Sequence, residues 1–263
     1  MNNKKLYIFD MDGTIYLGGR VFQFAIDFIN NLRSNGKKIL FFTNNASNSP
    51  DYYFDKLSKM GFSPSRSEIM TSGDVTIEFL KRHRTDKPVY LVGTPGLEKQ
   101  FTDSGIILSD TADIVVSSFD TTLTYEKLNI ACRLIRNSAE FLSTHPDFNC
   151  PVEDGFIPDS GAIAALITAS TGAVPAYFGK PYPQTIDMIC EATGIAKSDM
   201  CIFGDRLYTD IALGKRHGVT AILVLSGETT TDDVENAKPE ERPDFVFNSL
   251  DEVNQYMFGV DSK

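Results

Sequence analysis

The amino-acid sequence predicts an α/β fold built on a parallel sheet. Two observations predict it. Short apolar runs alternate along the chain with stretches whose apolar residues recur at helical spacing, and the connections between them are short. A strand that is apolar along its whole length must be covered on both faces, and strand–helix alternation supplies that cover.

The elements follow in order. Leu6–Phe9 is an apolar run closed by Asp10 and reads as a buried strand. Phe22, Ala25, Ile26, Ile29 and Leu32 share one helical face, and Gly36 ends that helix. Lys38–Phe42 is a second strand, running out into Thr43, Asn44 and Asn45. Ser49 and Pro50 place an N-cap before a proline at the first helical position, and the helix runs through Tyr53 and Leu57 to Gly61. Val89–Val92 and Ile114–Val116 are strands, Tyr125–Asn137 is a long helix and Glu140–Thr144 is a strand. Ser160 and Gly161 open a helix rich in small residues that reaches Thr171, and a further helix spans Pro183–Thr193. Cys201–Phe203 is a strand ending in Gly204 and Asp205, and Asp210–His217 is helical up to Gly218. Ala221–Leu225 and Pro243–Phe247 are the last strands, and Leu250–Tyr256 is the last helix.

The 263 residues carry 25 Lys and Arg against 35 Asp and Glu, a formal net charge of −10. That acidic balance argues against nucleic acid or an anionic membrane as partner, since both require a basic face. It leaves room for a small anionic ligand in a locally positive pocket. With 42% hydrophobic residues the chain has too much apolar side chain to stay solvated, which excludes global disorder. The apolar run behind the basic start is too short for a signal-peptide core or a membrane span. A cytoplasmic protein is expected. Cys132, Cys150, Cys190 and Cys201 form no CxxC and read as reduced, mostly buried thiols.

The chemistry-bearing residues stand at element ends. Asp10-Met11-Asp12-Gly13-Thr14 closes the first strand, at the sheet edge where open parallel sheets bind ligands. Residues i and i+2 of a continuing strand share a face, so Asp10 and Asp12 can converge; an acidic turn is the plainer reading. A calcium loop counted from Asp10 would need Glu where Val21 stands. Gly179-Lys180 and Gly214-Lys215 lack the flanking residues of a Walker loop, and no GxGxxG is present. Thr43, Asn44 and Asn45 can offer a hydroxyl, amides and backbone N–H to a phosphate. Lys180 puts a cation before a helix, and Asp205 and Asp210 add two carboxylates after another apolar run.

Taken together, DMDGT at 10–14, the strand-ending Thr43, Lys180 and GDRLYTD at 204–210 resemble the four motifs of the haloacid dehalogenase (HAD) superfamily of phosphohydrolases. TNN at 43–45 and GKPYP at 179–183 resemble its type IIA branch, the 4-nitrophenylphosphatase-like, sugar-phosphate and nucleotide phosphatases. The resemblance runs over essentially the whole chain. It implies a Rossmann-like core from 1–74 and 179–263, with an α/β cap inserted at 75–178.

The resemblance further implies Asp10 as nucleophile, forming an aspartyl-phosphate, and Asp12 as general acid and base. A carboxyl with an ordinary pKa of about 3.9 is only about 0.1% protonated at pH 7, so Asp12 would need its pKa raised. Asp10, Asp205 and the Asp12 carbonyl would hold Mg²⁺, with Asp210 behind them. Thr43, Asn44, Asn45 and Lys180 would hold the phosphoryl group. The expected substrate is a small phosphorylated metabolite, a sugar phosphate or nucleoside monophosphate or similar, and a homo-oligomer is left open. A phosphomutase shares the Asp pair, and a catalytically silent phosphometabolite-binding protein is the alternative from another class. Asp147 and Asn149 fall in the cap's specificity loop by resemblance and equally read as a turn before Pro151. Arg206 reads as a charge-tuning or a solvent-facing residue. His83, His145 and His217 are isolated, and none is given a catalytic role.

Overall fold

The computed structural model describes residues 1–152 and 155–259. Positions 153–154 of the expected cap and 260–263 of the expected core lie outside the described residues. The chain forms two compact units, one of Met1–Thr43, Tyr53–Met70 and Ile189–Lys263, the other of Asn44–Tyr52 and Thr71–Met188.

The first unit is organised by a six-stranded sheet in the order Phe245–Phe247, Thr220–Val224, Met200–Gly204, Leu6–Phe9, Lys38–Thr43, Ile69–Thr71. Leu6–Phe9 is central and parallel to both neighbours, with Phe9 opposite Phe41 on one side and Phe203 on the other. All four of its residues are buried, as a strand covered on both faces requires. Phe9 stacks on Phe203 at 4.8 Å. Phe28, from the helix Gln23–Ser34, meets Phe9 edge-on at 6.0 Å. That helix buries Ala25, Phe28, Ile29 and Leu32, close to the stripe its sequence shows. The packing aligns the carboxyl ends of the Leu6–Phe9 and Met200–Gly204 strands, from which Asp10 and Asp205 emerge.

The second unit holds a four-stranded parallel sheet in the order Ala176–Tyr177, Glu140–Ser143, Ile114–Ser117, Val89–Val92. The helices Tyr125–Arg136 and Ser160–Thr171 supply Ala131, Ile135, Ile163 and Ile167 to its core, around Val92 and Val115. Thr124 and Asp159 cap those helices with side-chain oxygens.

The α/β class and the parallel sheet agree with the sequence reading, and several local features differ from it. Asn149–Val152 and Gly155–Pro158 form an antiparallel hairpin, where the sequence pointed to a loop. An isolated two-stranded ribbon tolerates a proline such as Pro151 on an edge. The helix expected from Asp210 starts instead as a π-helical turn over Leu207–Ile211, with the α-helix over Ala212–His217. Tyr16–Leu17 and Arg20–Val21 also pair across Gly18 and Gly19 as a small hairpin. Among the described residues, no helix is long and apolar enough to cross a membrane.

Candidate active site

The chain continues beyond Phe9 alongside the neighbouring strand, with Asp10 N–H donating to the Phe203 carbonyl at 2.9 Å. This brings Asp10 level with Asp205. Asp210 joins them from the π-helical turn, which Ile211 N–H closes on the Arg206 carbonyl at 3.2 Å. Such a widened turn re-aims a side chain that a regular helix would carry past the strand end. Asp10, Asp205 and Asp210 each offer a carboxylate oxygen, and these atoms lie within 4.8 Å of one another.

Asp205 is 2% exposed and Asp210 1%. Burial, followed by the charges of Asp10 and Asp210, pushes the Asp205 carboxyl up to about 8, with the Glu228 N–H and Arg206 opposing. Backbone encloses this carboxylate closely. Gly13 has φ +89°, and a Cβ there, or at Gly227, would overlap the Asp205 side chain. Asp205 Oδ2 accepts from Glu228 N–H at 2.7 Å, while Oδ1 is buried without a hydrogen-bond partner among the described residues. An unmatched buried acceptor, excess negative charge and an all-oxygen donor set together fit a hard divalent cation, which Asp10, Asp205 and Asp210 could hold.

Asp12 is exposed, and its Oδ1 accepts from Gly18 N–H at 3.3 Å. It stands outside the carboxylate cluster but in the same unit. Lys56, which the sequence reading passed over, lies in its field. The Lys56 ammonium sits 4.1 Å from the Tyr16 ring centre, burial lowers its pKa, and Asp12 opposes that shift. Thr43 ends the strand Lys38–Thr43 and is half-buried.

The remaining candidates fall in the second unit. Asn44 brackets the backbone of Lys180, its Oδ1 accepting from Lys180 N–H at 2.7 Å and its Nδ2 donating to the Lys180 carbonyl at 3.0 Å. The second Nδ2 hydrogen goes to Asp147 Oδ2 at 3.0 Å. Gly179 has φ +73°, and a Cβ there would lie 2.7 Å from Asn44 Oδ1, so only glycine admits this bracket. Asn45 closes an Asx turn, its Oδ1 accepting from Ser47 N–H at 2.9 Å and Ser47 Oγ at 2.7 Å. Asn149 is exposed on the hairpin opposite Pro158, so it and Asp147 belong to different local structures.

Like Lys56, Ser226 and Glu228 have no place in the sequence reading. Ser226 Oγ donates to the Gly13 carbonyl at 2.7 Å, so Ser226-Gly227-Glu228 forms a clamp around Asp205. The available signal was a polar stretch directly after the apolar run Ala221–Leu225, the pattern that marked the other motifs. Glu228 also settles Arg206, which pairs with its Oε2 at 2.9 Å, while Tyr208 donates to its Oε1 at 2.9 Å.

Comparison with known proteins gives this geometry a family. The haloacid dehalogenase-like hydrolase model matches residues 7–107, and a second HAD-hydrolase-like model matches residues 177–253. An acid sugar phosphatase of Staphylococcus saprophyticus is 36% identical over 255 residues, 96% of this chain and 98% of its own. One from Staphylococcus haemolyticus is 35% identical over 95% of each chain. The crystal structure of a 4-nitrophenylphosphatase from Thermotoga maritima superposes with a TM-score of 0.93 at 42% identity, covering 97% of this chain and 98% of that one. The chain therefore belongs to the haloacid dehalogenase-like hydrolases, as a phosphatase of their type IIA branch.

Proposed function

We propose that this phosphatase hydrolyses monoesters of small phosphorylated metabolites, phosphorylated sugars foremost, through an aspartyl-phosphate on Asp10 and with Mg²⁺ as its cation. The observation that carries this reading is the Asp10–Asp205–Asp210 cluster with its buried, unmatched Asp205 Oδ1. The names of the acid sugar phosphatase relatives support the substrate class. The unit around 75–178 is taken as the cap that selects the substrate. Exposed Phe148 and Phe156, beside and on its hairpin, are candidates to meet the leaving group.

In this reading Asp10, Asp205 and the Asp12 carbonyl hold the cation and Asp210 stands behind them. When bound, the cation offsets the crowded carboxylates and draws negative charge from the phosphoryl oxygens. An Asp10 carboxylate oxygen attacks phosphorus, the bond to the ester oxygen breaks, and Asp12 gives that oxygen its proton. Asp12, now ionised, takes a proton from water. The oxygen of that water attacks the aspartyl-phosphate at phosphorus, releasing inorganic phosphate and restoring Asp10. Thr43 and Lys180 hold the phosphoryl group. Asn44 acts through Lys180, because its Oδ1 and both amide hydrogens are engaged by Lys180 and Asp147.

The test is phosphate release across a panel of sugar phosphates, nucleoside monophosphates and phosphorylated acids, with chelated and Mg²⁺-reconstituted protein. Mg²⁺-dependent release, strongest on sugar phosphates, is expected. Full turnover in chelated protein would refute the metal assignment, and transfer of phosphate to a second sugar position would favour a mutase.

A further inference from the structure

This inference rests on the phosphate-binding role given to Lys180. His145 is one of three histidines in the chain, and its sequence neighbourhood does not distinguish it. In the structure it is completely buried, 0% exposed, beyond the end of the strand Glu140–Ser143. Nε2 lies 2.8 Å from Oδ1 of Asp159, the residue that caps the helix Ser160–Thr171. A carboxylate oxygen only accepts, so Nε2 carries a hydrogen. Nδ1 lies 3.0 Å from Thr144 Oγ1 and 3.4 Å from Ser72 Oγ. Each hydroxyl has one hydrogen, and each already donates it: Thr144 to Ser118 Oγ at 2.9 Å, Ser72 to the Asn44 carbonyl. Both can only accept from Nδ1, so Nδ1 carries a hydrogen as well. A ring protonated at both nitrogens is an imidazolium.

Burial opposes that charge. The charge and hydrogen bond of Asp159, with the charge of Asp147, outweigh burial and raise His145 above the ordinary imidazole value. Among the described residues, these are the charged groups acting on the ring, Asp159 from the helix N-terminus and Asp147 from its own loop. Ser72 and Ser118 present neutral hydroxyls. The same helix N-terminus holds the rest of the loop. Gly161 N–H donates to the Asp147 carbonyl at 2.8 Å and Asp159 N–H to the Phe148 carbonyl at 3.0 Å. A Cβ at Gly161 would collide with the Pro146 backbone. Asp147, fixed in this way, takes one amide hydrogen of Asn44, the residue that brackets Lys180.

We propose that His145 is a buried imidazolium and a positioning residue, which with Asp159 sets Asp147 and, through Asn44, the backbone of Lys180. The pair also makes stability depend on pH. Its contribution is complete below the unfolded imidazole value of about 6.5 and is lost as pH rises through the raised folded value.

Uniform ¹⁵N-histidine labelling tests the protonation directly in the wild type, where the slow exchange of a fully buried ring identifies His145. Both of its ring nitrogens are expected to stay protonated as pH rises past the ordinary imidazole value of about 6.5. A His145 that loses a ring hydrogen at that ordinary value, or that carries only one below it, overturns the proposal. His145→Gln and Asp159→Asn are expected to raise KM for 4-nitrophenyl phosphate and weaken inhibition by inorganic phosphate on the order of tenfold, with kcat little changed. Both should leave Mg²⁺ affinity as in the wild type and lose the wild type's alkaline fall in Tm. Variants that lower Tm but keep wild-type KM and phosphate inhibition overturn the positioning role. Absence of Mg²⁺ binding in the wild type would instead refute the proposed metal site, and the ring-nitrogen spectra judge the pair apart from it.

Discussion

Replacing Asp205 with asparagine probes the carboxylate cluster in its metal-free and metal-bound states at once. At 4.8 Å, the outer limit of the cluster, two full charges repel by roughly 3 kcal/mol at an effective dielectric near 20. Asp205 faces two such neighbours and is buried as well, which together push its carboxyl up to about 8. Retaining a proton relieves part of that cost, so the net gain from Asp205→Asn in metal-free protein near neutral pH is smaller, about 1–3 kcal/mol. For a chain of this size each kcal/mol moves Tm by about 2–4 °C. Mg²⁺ at a thousand times its Kd adds about 4.1 kcal/mol to the wild type, and the variant, lacking a ligand, should gain almost none. The expected pattern is a crossing: the variant melts above the wild type in chelator and below it in saturating Mg²⁺. Scanning calorimetry in both conditions reads the order, and titration calorimetry reads the lost binding. A variant that melts below the wild type in chelator, and is raised by Mg²⁺ as much as the wild type, would refute both the crowding argument and the assignment of Asp205.

Asp10→Asn should fold normally and lose nearly all turnover, because an amide does not form the acyl-phosphate; a rate near wild type, with mass spectrometry excluding deamidation, would rule Asp10 out as nucleophile. Gly13→Ala combines a φ of +89° with overlap on the Asp205 carboxylate, so it should cost at least about 1 kcal/mol in denaturant unfolding and also weaken Mg²⁺ binding. Asn44→Ala removes both contacts to the Lys180 backbone and should raise KM with Mg²⁺ affinity unaltered, at about 1–3 kcal/mol of transition-state binding; steady-state kinetics beside calorimetry separates the two quantities. Exchange of residues 145–151 for those of a relative with another specificity should reorder kcat/KM among natural substrates more than it changes activity on 4-nitrophenyl phosphate, and an unchanged ranking in a folded protein would place selectivity elsewhere.

The parts of the site that were readable share one property. Asp10, Thr43 and Asp205 each follow an apolar run, and a polar residue at the end of a buried strand is a local pattern. Lys180, before a helix and behind Gly179, is equally local. Arg206 remained open between two readings because its partner, Glu228, lies on another strand's exit loop. Asn149 and Asp147 are near neighbours in sequence, which makes one loop the simplest expectation for both. The hairpin then takes Asn149 into a strand, while backbone contacts to the Ser160–Thr171 helix hold Asp147.

The α/β alternation, the parallel sheet and the acids at its strand ends are all encoded locally in the chain. These follow from periodicity and composition within a dozen residues, where backbone geometry alone decides which side chains share a face. Which groups meet is instead set by contacts between distant segments. Ser226 closes on Gly13 from 213 residues away, Asn44 brackets Lys180 across 136, and His145 acquires its charge from hydroxyls and a carboxylate on separate elements. Protonation and clamping depend on burial and on how many hydrogens each neighbour has left to donate. Neither quantity exists until distant segments have packed together.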